Sequence, residues 1–414
     1  MNLEAGKAAE AVARRSYGKL VAFLAARTRD VAGAEDALAE AFAAALVEWP
    51  ASGVPRTPEA WLLTVARRRM IDAARRRRTS EEGAATVALL ADELFDPAAA
   101  GLEIPDQRLR LMFACAHPAV DAGVRAPLIL QTVLGFDAAA IASAFLVAPS
   151  AMGQRLVRAK ARIRQAGIPF QVPGRDELAE RLDAVLEAIY AIYAEGWSDP
   201  AGTQARSRGL TDEAIWLGRL VASLLPQAPQ ALGLLSLMLH AEARREARRG
   251  AQGEFIPLDR QDPARWDGPL IDEAEALLLQ ASRMRMADRF QLEAAVQSAH
   301  AVRRRSGVSD WASIVQLYDA LLGMTGSVVV AINRAVALAA AGRPEPGLAA
   351  LDALQADARL AEYQPYWAAR AALLVQCGRA EQAAGAYRRA IGLESDPALR
   401  RFLQAELAGL AAAP

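Results

Sequence analysis

Alanine sets the limits on what this chain can fold into. Of the 414 residues 96 are Ala, 53% of the chain is apolar, and only 6% is aromatic. Ala has the highest helix propensity and the smallest apolar side chain, so a chain this rich in it packs helices closely and makes poor sheets. The spacing of larger residues agrees. Leu20, Phe23 and Leu24, then Leu38, Phe42, Leu46 and Trp49, recur at helical intervals and predict helices over 8–28 and 34–49. A breaker segment from Pro50 to Pro58, with Gly53 and three prolines, interrupts them. A helix then resumes over 59–78, with Trp61, Leu62, Val65 and Ile71 on its apolar side. Strand signals such as Ser327–Val330 are short and do not alternate. The expectation is an all-α chain, long enough for two or three domains.

Several function classes fall away on residue chemistry. Two cysteines, Cys115 and Cys377, make no disulfide framework, and the three histidines lack metal-ligand spacing. No phosphate loop, nucleophile elbow or zinc motif occurs, so no metal, cofactor or catalytic residue is expected. Glu195, His240, Asp259, Asp262, Asp267 and His300 have no diagnostic pairing and read as solvated or capping groups. Trp197, Trp216 and Trp266 read as packing anchors, and Cys115 and His117 as structural positions. No apolar run reaches the length of a membrane span, and the first residues lack the apolar stretch of a signal peptide. The expectation is a cytoplasmic protein that does not enter a membrane.

Charge is balanced overall, with 48 Lys plus Arg against 48 Asp plus Glu, but it is not evenly spread. Trp61 to Ser80 holds seven Arg against the single acid Asp72. Ala148 to Gly167 holds Arg155, Arg158, Lys160, Arg162 and Arg164 and no acid. Between them, 81–105 carries acids and neither Lys nor Arg, and reads as a linker. A solvated helix face can also be Arg-rich, but two basic helices joined by an acidic tether suit a chain that grips DNA at two places. Arg side chains neutralise phosphates, and aromatic groups beside them stack on an extruded base.

The second basic block has helix-turn-helix form. AAAIASAF (138–145) follows Gly135-Phe136-Asp137, a turn spans Leu146–Pro149, and SAMGQRLVRAKARIR follows with Ser150 as its expected N-cap. Ala151, Met152, Gln154, Arg155 and Arg158 near its start would face base edges in the major groove, Arg suiting guanine and Gln adenine. Leu156, Val157 and Ile163 are expected to pack inward, leaving Lys160, Arg162 and Arg164 for phosphates.

AEDALAEAFAAALVEW (34–49) and AWLLTVARRRMIDAARRRR (60–78) resemble region 2 of extracytoplasmic-function (ECF) RNA polymerase sigma factors, and 106–170 resembles their region 4. The resemblance implies that Glu35, Asp36 and Glu40 face the clamp helices of the RNA polymerase core. It implies that the 50–58 loop and Trp61, Thr64, Arg67, Arg68, Asp72 and Arg75 lie at the −10 element of promoter DNA. Ser150, Ala151, Met152, Gln154, Arg155, Arg158 and Lys160 would then lie at the −35 element. The linker, about 25 residues, reaches about 80–90 Å when extended, enough to join two promoter elements.

Further on, RLDAVLEAIYAIYAEGWS (181–198), ALGLLSLMLHAEARREAR (231–248), PLDRQDPARWD (257–267) and FQLEAAVQSAHA (290–301) follow in order. NRAVALAAAG (333–342) is echoed by RAALLVQCG (370–378), placing Gly342 and Gly378 36 residues apart, each before an amphipathic helix. Two helices per unit of about 34 residues is the tetratricopeptide arrangement. Together these segments resemble the sigma-factor subgroup with a long helical C-terminal extension, a DUF6596-like region followed by tetratricopeptide-like repeats. The expected domains are 1–80, a linker 81–105, 106–170, a helical middle region 176–310, and repeats over 311–414. The extension would regulate the factor in cis and offer its repeats to a protein partner. Another reading of the same residues is a helix-turn-helix regulator with a ligand- or protein-binding helical sensor.

Overall fold

The computed structural model describes residues 3–28, 31–76, 106–165, 173–197 and 204–412. Among them every regular element is helical, apart from one isolated bridge between Arg249 and Phe255. The all-α expectation therefore holds. The expected linker and Arg77 and Arg78 lie outside the described residues.

The chain forms two compact units, Met1–Ala191 and Ile192–Pro414. The first contains α1 (Leu3–Thr28), α2 (Val31–Ser52), α3 (Pro58–Arg76), α4 (Gln107–Cys115), α5 (Ala122–Leu134), α6 (Ala138–Ala144) and α7 (Pro149–Gln165). Helix α8 (Leu178–Trp197) begins in it. Small residues let these helices approach. A Cβ on Gly18 of α1 would sit 1.5 Å from the Val133 carbonyl oxygen, and one on Gly135 would sit 3.2 Å from the Tyr17 ring. Gly135 also ends α5 with a left-handed φ of 71° that a Cβ would disfavour. Asp106, Asp121 and Asp137 cap α4, α5 and α6, each accepting from backbone N–H groups of the first turn.

Two local expectations change. Helix α2 runs through Pro50 to Ser52, and the break is confined to the turn after Gly53, whose φ is +83°. Helix α7 starts at Pro149, a residue suited to a first helical position, so Ser150 lies inside the first turn instead of capping it. Met152 N donates to the Ala148 carbonyl at 3.0 Å, which makes Ala148 the flanking residue.

The second unit contains α9 (Gln204–Leu224), α10 (Pro229–Glu242), α11 (Gly268–Arg283), α12 (Arg289–Ala301) and the single turn α13 (Arg303–Ser306). It continues with α14 (Trp311–Thr325), α15 (Val328–Ala340), α16 (Pro344–Ala353), α17 (Gln364–Gln376), α18 (Ala380–Leu393) and α19 (Pro397–Ala412). Residues 231–240 of α10 are all buried, as expected of a helix enclosed on every side. The Ser327–Val330 cluster starts α15 rather than a strand. Gly342 and Gly378 close α15 and α17 in the same way. Each has positive φ, and the next residue's N–H reaches back to Leu338 and Leu374 respectively at 2.9 Å. Leu348, Leu351, Tyr366, Leu373 and Tyr387 fill the core between these helices.

Asp262, Asp267 and Asp288 are helix caps. Trp266 is 3% exposed, as expected of a packing anchor, but Trp216 is 42% exposed. No single described helix is long and apolar enough to cross a membrane.

Candidate polymerase and nucleic-acid interface

Helix α2 has two unlike faces. Ala34, Ala37, Leu38, Ala41, Ala45 and Trp49 are buried. On the opposite side Asp36, Ala39, Glu40, Ala43, Leu46 and Val47 are exposed, Val47 by 76%. This outer stripe is acidic at its N-terminal end and apolar at its C-terminal end. Large exposed aliphatics adjoining carboxylates are costly to leave in water and suit a protein partner. Glu40 also lies 3.5 Å from Arg69 of α3 in an exposed ion pair.

Glu35 does not share that surface. It is 9% exposed, and its carboxylate accepts from the Lys160 ammonium of α7 at 2.5 Å. Burial, with Glu35 and Asp36 beside it, pushes the Tyr17 phenol up to about 12. Burial raises the Cys115 thiol, Glu35 adding to the effect, so this cysteine is an inert core group.

Helix α3 packs through Leu62, Ala66 and Met70. At 100° per residue, Trp61, Thr64, Arg68, Asp72 and Arg75 fall within an arc of about 80°. Thr64, Arg68 and Asp72 are exposed, and Trp61 is half-buried with its edge against the Trp49 ring at 5.5 Å. The Thr64 hydroxyl donates to the Ala60 carbonyl at 2.8 Å. Arg67 projects about 100° away from the stripe. The Arg75 side chain lies outside the described residues. Among the described side chains this face joins the Trp61 ring to Thr64, Arg68 and Asp72.

Helix α7 departs most from its expected residues. Met152 is 1% exposed and packs in the core with Leu156, so it is not on the groove-facing side. Val157, expected inside, is 69% exposed. The apolar stripe that packs is Met152, Leu156 and Ile163, and Val157 lies off it because successive residues turn by 100°. Ser150, Gln154, Arg155, Arg158 and Arg162 are exposed, and Ala151 is half-buried. Arg158 donates to the Gln154 side-chain oxygen at 3.3 Å. Arg155, Arg158 and Arg162 line a groove of about 420 Å³ against Asp121, Gly123 and Val124. Lys160 is taken up by Glu35.

Helix α2 thus presents an outer stripe of Asp36, Glu40, Leu46 and Val47, and α3 one of Trp61, Thr64, Arg68 and Asp72. Residues 12–80 match the model of Sigma-70 region 2. Residues 181–282 match that of a family of unknown function, DUF6596. An uncharacterised protein of Rhizobium meliloti (strain 1021) is 40% identical over 387 residues, which cover 92% of this chain and 90% of that protein. No solved structure matches the chain. The region-2 match supports a sigma-factor role in transcription initiation, with RNA polymerase core, which region 2 binds, as partner. Along nearly its whole length it belongs to one family with the Rhizobium protein.

Proposed function

We propose that this is an ECF-type sigma factor that directs RNA polymerase core to a two-element promoter, with its helical extension regulating it in cis. The observation that carries the reading is the outer face of α2, where Asp36 and Glu40 adjoin the exposed Leu46 and Val47. Those residues dock on the clamp helices of the core. The α3 stripe, Trp61, Thr64, Arg68, Asp72 and Arg75, meets the −10 element, with Arg67 on phosphate beside it. Helix α7 enters the major groove at the −35 element with Ser150, Ala151, Gln154, Arg155 and Arg158. The factor itself performs no covalent chemistry, which belongs to the polymerase.

The regulatory part is 176–414, with a protein partner on tetratricopeptide-like pairs over 311–414. Supporting it, Gly342 and Gly378 end α15 and α17 with matching backbone hydrogen bonds, one repeat length apart.

The test is binding of the purified full-length chain to RNA polymerase core, beside an Asp36→Arg/Glu40→Arg variant. Binding that the double substitution abolishes is expected. Absence of binding by both the full-length chain and a chain ending at residue 175 refutes the sigma reading and leaves a helix-turn-helix regulator. Unchanged promoter output after removal of 176–414 refutes regulation in cis.

A further inference from the structure

Helix α7 carries one feature that neither packing nor phosphate binding uses. Val157 is 69% exposed on a helix that otherwise shows water cations, Gln and small residues. A lone exposed valine is ordinary on a protein surface; the setting of this one is not. One turn before it stands Gly153, where an added Cβ would meet no atom within 4 Å. No described residue therefore requires glycine there, although glycine inside a helix costs about 1 kcal/mol relative to Ala. Ser150 and Ala161, both small and exposed, border the same strip, and Gln154 lies beside it. The flank is a shallow notch with one projecting isopropyl group, edged by Arg158 on a segment without a single acid between Ala148 and Gly167. That charge fits duplex DNA. In the major groove the one apolar mark on a base edge is the thymine 5-methyl group.

We propose that Val157 is a specificity-determining residue that packs on a thymine methyl at the −35 element, with Gly153 giving the base edge its close approach. This rests on the reading of α7 as the groove-entering helix. The full-length chain bound to RNA polymerase core is used to select duplexes from a random-sequence library. The enriched duplex is then rebuilt with deoxyuridine at each thymine in turn, which removes only the methyl.

At one thymine the wild type is expected to lose about fourfold in affinity, the value of burying one methyl, while Val157→Ala loses nothing further. Gly153→Ala is expected to raise the melting temperature and weaken binding together, a pairing that a purely structural glycine does not give. Equal uracil effects in wild type and Val157→Ala overturn the contact, as does a Gly153→Ala chain that is more stable and binds normally. A library that yields no enriched sequence overturns the groove-entering reading itself.

Discussion

Two sets of arginines, one on α3 and α7 of the first unit and one in the second unit, are used in opposite ways. In the first, Arg68 of α3 and Arg155, Arg158 and Arg162 of α7 stand exposed on helix faces. In the second, guanidiniums turn inward and hold the chain to itself. Arg303 donates to the carbonyls of Leu258 at 2.9 Å, Asp259 at 3.2 Å and Gln261, and lies 5.2 Å from the Trp266 ring centre. Arg248 donates to the Trp197 carbonyl at 3.1 Å and covers that ring at 4.1 Å. Burial, and then neighbouring charge, lower Arg248 to about 10, so it stays cationic at neutral pH. An inward guanidinium supplies up to five donors to carbonyls that would otherwise be stranded, whereas an outward one is free for phosphate. Arginine content alone therefore says nothing about nucleic acid. Its placement does.

The contrast can be tested from its most costly side. Arg303→Ala leaves the part-buried Leu258 and Gln261 carbonyls without their donor and uncovers Trp266, and should lower stability by about 2–4 kcal/mol in denaturant melts, with Arg303→Lys recovering little. A loss below about 1 kcal/mol would erase the difference between the two sets.

Next comes the pH response of the same unit. Burial, with Arg244 beside both and Arg303 beside the second, holds His240 and His300 down at about 4 from an ordinary 6.5. Glu275 Oε1, 3.6 Å from His240 Nε2, does not reverse this. Between about pH 6.5 and 4 the unfolded chain takes up protons that the folded one refuses. Stability is complete above about 6.5 and falls through that window, by up to about 3 kcal/mol for each residue. His240→Gln and His300→Asn should each flatten the slope seen in thermal melts.

Lys160 sharpens the comparison as a cation of the first unit used as the inward set is, as are Arg125, which donates to the Val120 and Pro118 carbonyls, and Arg181, which donates to the Phe113 carbonyl. Lys160→Met should cost about 1–2 kcal/mol, and a double-mutant cycle with Glu35→Gln should recover most of it as coupling. The smallest effect on stability belongs to the outward set. Arg162→Ala should change it by less than about 0.5 kcal/mol, yet reduce the salt slope of DNA binding by about 1.

Much of the fold was legible. The 3.6-residue spacing gave α1, α2, α3, α6 and α7 to within a few residues of their ends, and the Gly342 and Gly378 echo marked the ends of α15 and α17. The exposure of Thr64, Arg68 and Asp72 on α3 and of Asp36 and Glu40 on α2 follows helical register, while Arg67, expected with them, falls on another side of α3. Val157, Met152, Glu35 and Lys160 were not legible. Helix α7 has apolar residues on two adjoining arcs, and which arc packs depends on where α5 and α6 lie.

The sequence by itself determined the helices and the basic composition of α3 and α7, since these follow from backbone hydrogen bonds and neighbours within one turn, whereas the end of α2 and the cap of α7 came out differently. Only the tertiary structure decided which side of each charged helix meets water. Glu35 and Lys160 are 125 residues apart in sequence, and Arg303 is more than 40 from the carbonyls it holds. Burial of a charge is a property of everything packed around it, and no local spacing encodes that.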